Sequence, residues 1–136
     1  MVNILVKKIG VIGGGSWGTA LAILLANNKH CVDIWVRDRQ QMEDIQQSRE
    51  NKKYLPGVSI PETINISTDL SETIYNKDLL VLSVPTHGVR STLKECKNIF
   101  KKDQVIVNVA KGIENDSLLR ISEIVNEMLP LNPYAV

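Results

Sequence analysis

Short apolar runs alternate along this chain with segments whose apolar residues recur at helical spacing. The clearest example is the apolar run at residues 8–12, which is followed by a glycine-rich stretch and then by a helix-like segment at residues 17–28. A second apolar run begins soon afterwards and covers residues 31–36. Because a strand, a helix and a parallel strand form a right-handed unit in nearly all known proteins, this pattern predicts a βαβ unit.

The same alternation continues through the rest of the chain. Further strands are predicted at residues 65–67, 79–84 and 105–109. Further helices are predicted at residues 39–50, 69–75, 86–97 and 117–129. Residues 51–57 contain Pro and Gly and predict a loop, whereas residues 134–136 predict the approach to one more strand. The fold class expected is α/β: a Rossmann-type, doubly wound, mostly parallel sheet with helices on both faces.

The composition is that of one domain with little net charge. The chain has 136 residues, with 16 Lys or Arg against 15 Asp or Glu, and 43% of its residues are apolar. This length suffices for one core but not for two, so residues 1–136 are expected to form a single domain. A net charge of +1 without a basic cluster argues against nucleic acid or an anionic membrane as the main partner.

The sequence also argues against a membrane span, a secretory signal and a metal site. The longest apolar runs are far shorter than the ~20 residues that a membrane-spanning helix needs. Residues 1–8 place their lysines after the apolar positions, unlike a secretory signal, so a cytoplasmic protein is expected. Cys31 and Cys96 match no metal-binding spacing, and they are predicted to be buried, reduced thiols.

The glycine-rich stretch after the first strand has the spacing of a dinucleotide-binding loop. Gly13, Gly15 and Gly18 follow the pattern G-x-G-x-x-G between a predicted strand and a predicted helix. In that position the first glycine allows a tight turn, the second lets a pyrophosphate approach the backbone, and the third lets the helix pack on the strand. The alternative is a glycine-rich turn that binds no ligand.

The end of the second strand is expected to decide which nicotinamide cofactor binds. An acidic side chain there would bind the 2′-hydroxyl of NAD, but the last in-strand position is Val36. Arg37 follows it, and a guanidinium can pair with the 2′-phosphate of NADP(H) and stack on adenine. NADP(H) is therefore favoured over NAD(H). Two alternatives remain: Asp38 fills the NAD role, or Arg37 is only a solvated charge.

Four motifs stand in one order along the chain. They occupy residues 13–22, 51–57, 84–90 and 110–114. Together they resemble the N-terminal half of bacterial-type NAD(P)-dependent glycerol-3-phosphate dehydrogenase, and the resemblance covers the whole chain. It implies hydride transfer from NAD(P)H to dihydroxyacetone phosphate, giving sn-glycerol 3-phosphate for phospholipid synthesis, by a protein that is a homodimer at full length.

The resemblance also implies which residues bind the ligands. The cofactor contacts of the family fall on Ser16, Trp17, Arg37 and Lys111, and the position of Lys111 also contacts substrate. Lys111 follows a strand at the carboxyl edge of the sheet, where its cation can hold a phosphate or oppose charge on a carbonyl oxygen. The alternative for Lys111 is an ordinary surface lysine, and the alternative for Trp17 is a core aromatic beneath the loop.

Three neighbouring residues each have two interpretations. Pro85 either brings backbone close to the nicotinamide or only ends a strand. Tyr54 either folds over the adenine or the substrate, or packs within its own loop. His87 is expected to be a capping or surface imidazole, and no catalytic role is assigned to it.

The chain departs from the pattern of the family in one place and lacks one part of it. The family commonly has Gly after the first helix, where this chain has Asn27-Asn28-Lys29, so a left-handed position there is expected to cost about 1 kcal/mol. The general acid lysine and the helical substrate domain of the family lie C-terminal to Val136. The catalytic acid is therefore unknown within residues 1–136.

Two other functions fit part of the pattern. Relatives of 6-phosphogluconate dehydrogenase or ketopantoate reductase share the glycine loop but lack the motifs at residues 51–57 and 110–114. A non-catalytic dinucleotide-sensing module would bind NAD(P)(H) and report redox state to a partner. Its short length fits this chain, whereas the substrate-side motif around Lys111 favours the enzyme.

Overall fold

The computed structural model describes residues 5–135. Within that part, the strands are β1 Lys8–Ile12, β2 Cys31–Trp35, β3 Glu50–Asn51, β4 Leu55–Ser59, β5 Asn65–Ser67, β6 Leu79–Leu82, β7 Val105–Asn108 and β8 Tyr134–Ala135. The helices are α1 Ser16–Asn27, α2 Arg39–Ser48, α3 Leu70–Ile74, α4 Thr86–Cys96 and α5 Ile121–Met128. Strands and helices therefore alternate in the order that the apolar pattern predicts.

The main sheet has six strands in the order β5-β2-β1-β6-β7-β8, and every neighbouring pair in it is parallel. The chain builds the sheet outward from β1 in one direction, and then returns to place β6 on the other side of β1. This arrangement confirms the Rossmann-type, doubly wound fold. The carboxyl ends of β1 and β6 meet where the strand order reverses, which is where open α/β sheets bind ligands.

Helices cover both faces of the sheet, as expected. Successive residues of β1 point to opposite faces, so that Val11 belongs to one apolar cluster and Ile12 to the other. The cluster of Val11 includes Ala22 of α1 and Ile45 of α2. The cluster of Ile12 includes residues of α3, α4 and α5. Two packed layers on a central sheet hold the strand ends in fixed positions.

The segment at residues 51–57 is not a plain loop, so that prediction is wrong. Strands β3 and β4 form an antiparallel ribbon in which Asn51 lies opposite Leu55 and Glu50 opposite Ser59. Arg49 ends α2 in a left-handed conformation, with φ of 53°, and this reverses the chain into the ribbon. Pro56 is tolerated because a two-stranded ribbon leaves every strand with a free edge.

Two further predictions about element ends need correction. The last helix begins at Ile121 rather than residue 117, because Ile113 and Arg120 form a β-bridge that holds the intervening residues in a loop. Strand β2 ends at Trp35 rather than at residue 36. Helix α4 begins at Thr86 as predicted, with Pro85 as its N-cap, and the Thr86 hydroxyl donates a hydrogen bond to the carbonyl of Lys111.

The end of α1 confirms the expected left-handed position. Lys29 has a φ of 71°, and its N–H donates to the carbonyl of Ala26. Both cysteines are free thiols, but only Cys96 is buried as predicted, whereas Cys31 is exposed. Burial raises the pKa of the Cys96 thiol to about 12, which keeps it protonated. Among residues 5–135, no helix combines the length and apolar character that crossing a membrane requires.

Candidate functional site

A cleft of about 600 Å³ opens at the carboxyl edge of the sheet, above the point where the strand order reverses. It is larger than two adjoining grooves of about 330 and 440 Å³, with which it shares lining residues. Its walls come from the segments that follow β1, β2, β6 and β7, and from the β3–β4 ribbon. Eight of the predicted site residues line it: Gly13, Gly15, Ser16, Trp17, Arg37, Tyr54, Pro85 and Lys111. Gly18 does not line the cleft, because it is buried beneath the loop.

The three glycines of the loop have different steric surroundings. Gly13 has a φ of 121°, and a Cβ on it would lie 2.8 Å from the backbone of Ser83. A Cβ on Gly18 would lie 2.1 Å from the carbonyl oxygen of Gly13. A Cβ on Gly15, by contrast, would meet nothing within 4 Å and would project into free space. The first and third glycines are thus required by the fold, while the second leaves a space open.

Helix α1 begins at this open space. Gly15 is its N-cap, and no side chain caps the helix there. The first backbone N–H groups of a helix have no partner within it, and they carry about half a positive elementary charge. An unfilled space at such a helix start is suited to an anion, and phosphate groups bind in this way in other proteins.

Two side-chain amides hold the loop from behind. Gln41 Nε2 and Asn51 Nδ2 each donate to the carbonyl oxygen of Gly14 at 2.8 Å. Asn51 Nδ2 also donates to Thr19 Oγ1 at 2.9 Å, and Asn51 is only 1% exposed. Because the C=O and the following N–H of a trans peptide point in opposite directions, the Gly15 N–H faces away from these amides. Sequence reasoning missed both residues, although Asn51 opens one of the quoted motifs.

Replacing Asn51 with alanine is expected to destabilise the fold by about 1–2 kcal/mol, because two buried acceptors lose a donor. The unpartnered Oδ1 of Asn51 is removed at the same time, which limits the loss. Urea unfolding checks this, with Asn65→Ala as control, since Asn65 makes a single exposed hydrogen bond to Glu72. Equal losses in Asn51→Ala and Asn65→Ala would contradict the supporting role of Asn51.

Arg37 follows β2 and lies at one end of the cleft. Its Nη1 is 3.2 Å from Glu95 Oε1, and its Nη2 donates to Thr92 Oγ1 at 3.3 Å. The guanidinium carbon is 5.0 Å from the ring centroid of Trp35. Arg37 therefore contacts protein groups, while 59% of its side chain stays exposed to solvent. The carboxylate of Asp38 accepts from the N–H of Gln40 as the cap of α2.

Lys111 lies where β7 ends, across the cleft from the glycine loop. Its backbone carbonyl accepts from Thr86. Three residues further on, Glu114 accepts from Arg90 Nε at 2.9 and 3.1 Å, and Arg90 also pairs with Glu127. The hydrogen bond from Arg90 lowers the pKa of the Glu114 carboxyl and keeps it ionised. These contacts fix the segment to α4, while the ammonium of Lys111 takes part in none of the ion pairs of the described residues.

The remaining predicted residues are exposed at the cleft. Trp17 is 59% exposed, which excludes a core aromatic beneath the loop. Tyr54 is 42% exposed and reaches the cleft from the β3–β4 ribbon, with Lys53 Nζ 5.2 Å from its ring centroid. Pro85 and His87 line the cleft from the start of α4, and both are exposed. Within residues 5–135, no group of three or more His, Cys, Asp or Glu residues is arranged to hold a metal.

Two solved structures of glycerol-3-phosphate dehydrogenases share the fold of this chain. A crystal structure of glycerol-3-phosphate dehydrogenase from Coxiella burnetii matches 95% of this chain and 39% of its own, with a TM-score of 0.88 and 28% identity. A Plasmodium falciparum glycerol-3-phosphate dehydrogenase structure matches with a TM-score of 0.85 and 27% identity, covering 95% of this chain and 39% of its own.

Sequence comparison agrees with the fold. A glycerol-3-phosphate dehydrogenase [NAD(P)+] from Fusobacterium nucleatum is 48% identical over 90% of this chain and 36% of its own length. The enzyme of that name from Agathobacter rectalis is 45% identical over 96% of this chain and 39% of its own. The chain thus spans less than two fifths of these curated relatives. The family model described as "NAD-dependent glycerol-3-phosphate dehydrogenase N-terminus" matches residues 8–136. With this match, and with the four motifs gathered around one cleft, the chain belongs to the glycerol-3-phosphate dehydrogenase family, in the part that forms its N-terminus.

Proposed function

We propose that this chain is the cofactor-binding portion of an NAD(P)-dependent sn-glycerol-3-phosphate dehydrogenase. The observation that carries the proposal is the cleft itself, which places the glycine loop, Arg37 and Lys111 around the reversal point of the sheet. The relatives from Fusobacterium nucleatum and Agathobacter rectalis are named glycerol-3-phosphate dehydrogenase [NAD(P)+]. The reaction proposed is reduction of dihydroxyacetone phosphate to sn-glycerol 3-phosphate, which supplies phospholipid synthesis.

The residues present fit a nicotinamide dinucleotide. The space left open at Gly15 lies at the start of α1, where the backbone N–H groups and the Ser16 hydroxyl can donate to a pyrophosphate. The exposed rings of Trp17 and Tyr54 can lie along the cofactor. Pro85 lines the cleft at the start of α4, where its backbone can approach the nicotinamide. A cleft of about 600 Å³ lies within the usual size range of ligand pockets.

Lys111 is proposed to contact the substrate. When bound, the reduced nicotinamide supplies the hydride that goes to the carbonyl carbon of the substrate. The ammonium of Lys111 can hold the substrate phosphate or oppose the negative charge that develops on the carbonyl oxygen. The contacts of Thr86 and Arg90 hold the backbone of this segment against α4, so the backbone that carries the ammonium is fixed.

Further parts of the enzyme are proposed to lie outside this chain. In this proposal a C-terminal helical domain binds the rest of the substrate and supplies the lysine that protonates the carbonyl oxygen. The full-length protein is proposed to be a cytoplasmic homodimer. Support comes from the relatives, which are more than twice as long as this chain and carry the name of the complete enzyme.

NADP(H) is proposed as the preferred cofactor, since Arg37 can pair with a 2′-phosphate. Replacing Arg37 with aspartate is expected to weaken NADPH binding roughly tenfold to a hundredfold, because a charge-assisted hydrogen bond contributes about 1.5–3 kcal/mol. NADH binding changes little, so the preference reverses. Titration of tryptophan fluorescence measures both dissociation constants, since Trp17 and Trp35 line the cleft.

The matched control is Arg39→Asp, which makes the same charge change two residues away on an exposed side chain that pairs with Glu43. It is expected to leave the ratio of the two dissociation constants unchanged. Equal losses of NADPH affinity in Arg37→Asp and Arg39→Asp would contradict the assignment of Arg37. Binding of neither nucleotide by the unmodified chain at millimolar concentration would contradict the proposed function.

A further inference from the structure

The guanidinium of Arg37 already has an anionic partner in this structure. Glu95 Oε1 on α4 lies 3.2 Å from Arg37 Nη1, although the two residues are far apart in sequence. Thr92, one helical turn before Glu95, accepts a hydrogen bond from the other terminal nitrogen of Arg37. The guanidinium also lies over the ring of Trp35. Arg37 is therefore bound on three sides by protein groups and faces the cleft with part of its hydrogen-bonding capacity used.

The position of Glu95 affects any anion that approaches Arg37. Glu95, Arg37 and Trp35 line a groove of about 440 Å³ that adjoins the cleft through Arg37 and Trp35. Both partners of the ion pair are about half exposed, with side-chain accessibilities of 59% for Arg37 and 49% for Glu95. Their mutual attraction is modest at such exposure, so a ligand can compete with it.

NADPH and NADH would respond to Glu95 in opposite ways. The 2′-phosphate of NADPH carries a charge of about −2, so a carboxylate beside the guanidinium repels it and competes for the same N–H donors. The 2′-hydroxyl of NADH is neutral and can donate a hydrogen bond to a carboxylate. A single ion pair can thus lower the affinity for one cofactor without excluding the other.

We infer that Glu95 is a specificity-determining residue that limits the preference for NADPH. Its carboxylate offsets the charge of Arg37, so that the site accepts both the phosphorylated and the unphosphorylated nicotinamide dinucleotide. This inference rests on the proposed function, because it requires the cofactor to bind in the cleft. Glu95 itself lies outside the four sequence motifs.

The test is the Glu95→Gln variant of this chain, titrated with NADPH and with NADH by tryptophan fluorescence. Glutamine keeps the size of the side chain but removes its charge. NADPH is expected to bind roughly threefold to fivefold more tightly, while the dissociation constant for NADH changes by less than about twofold. The control is Glu123→Gln, which removes a carboxylate that pairs with Arg120 at the start of α5, outside the cleft. It is expected to leave both constants unchanged.

Three outcomes overturn the inference. An unchanged ratio in Glu95→Gln, with both nucleotides binding, refutes the role of Glu95 and leaves the proposed function standing. Equal tightening for NADPH and NADH refutes selectivity for the 2′-phosphate. Binding of neither nucleotide by the unmodified chain refutes the proposed function, and the inference fails with it.

Discussion

Replacing Gly15 with valine is expected to remove NADPH binding while the chain stays folded. A Cβ on Gly15 meets no atom within 4 Å, and its backbone, with φ of −76° and ψ of −169°, is extended and accepts a β-branched residue. The added methyl groups fill the space above the start of α1 that the pyrophosphate is proposed to occupy. Losing two charge-assisted hydrogen bonds, each contributing about 1.5–3 kcal/mol, lowers affinity about a hundredfold or more.

Stability and binding must be measured on the same Gly15→Val sample. Glycine is preferred over valine at an N-cap, so a loss of about 1 kcal/mol in unfolding free energy is expected. Fluorescence titration gives the affinity, and urea unfolding gives the stability. Undiminished NADPH binding in a folded Gly15→Val chain would show that the cofactor does not lie on this loop.

The Gly18→Ala variant is expected to show the opposite behaviour, a large loss of stability. A Cβ on Gly18 would lie 2.1 Å from the carbonyl oxygen of Gly13 and 2.5 Å from Ser83 Oγ. Ser83 Oγ also donates to the carbonyl of Gly13, so that neither atom can move without breaking a contact between β1 and the segment after β6. Separation of α1 from β1 is expected to cost about 2–3 kcal/mol, seen as a lower urea midpoint.

Gly88→Ala is the matched control for this substitution. Gly88 lies in α4, and a Cβ on it meets nothing within 4 Å. The same change there is expected to stabilise the chain by about 0.5–1 kcal/mol, because alanine favours the helix more than glycine does. If Gly18→Ala proved as stable as Gly88→Ala, close packing of α1 on β1 would not be the reason for the third glycine.

Local pattern was sufficient to predict the parts of the fold that carry the cofactor loop. The apolar run of β1, the glycine spacing and the helical period of α1 are adjacent in sequence, so one short window contains the whole unit. Val36, predicted as the last position of β2, directly follows the strand and is buried, and Arg37 lines the cleft. Because these features depend on residues that are neighbours in the chain, they can be predicted from the sequence alone.

The parts that were missed depend on contacts between distant segments. The β3–β4 ribbon contains Pro56 and Gly57, residues typical of loops, and it is held by the buried amide of Asn51, which reaches Gly14. The contact between Arg37 and Glu95 likewise joins the segment after β2 to α4. No periodicity marks either contact, because tertiary packing and not local propensity brings the residues together.

The most direct test of the account is the change in backbone amide NMR shifts when NADPH is added to the ¹⁵N-labelled chain. The central claim is that a nicotinamide dinucleotide lies across the reversal point of the sheet with its pyrophosphate at the start of α1. The largest changes are therefore expected at Gly15, Ser16 and Trp17, with smaller ones at Arg37 and Lys111. Shifts confined to the groove between α2 and β3, or no shifts at saturating nucleotide, would contradict the claim.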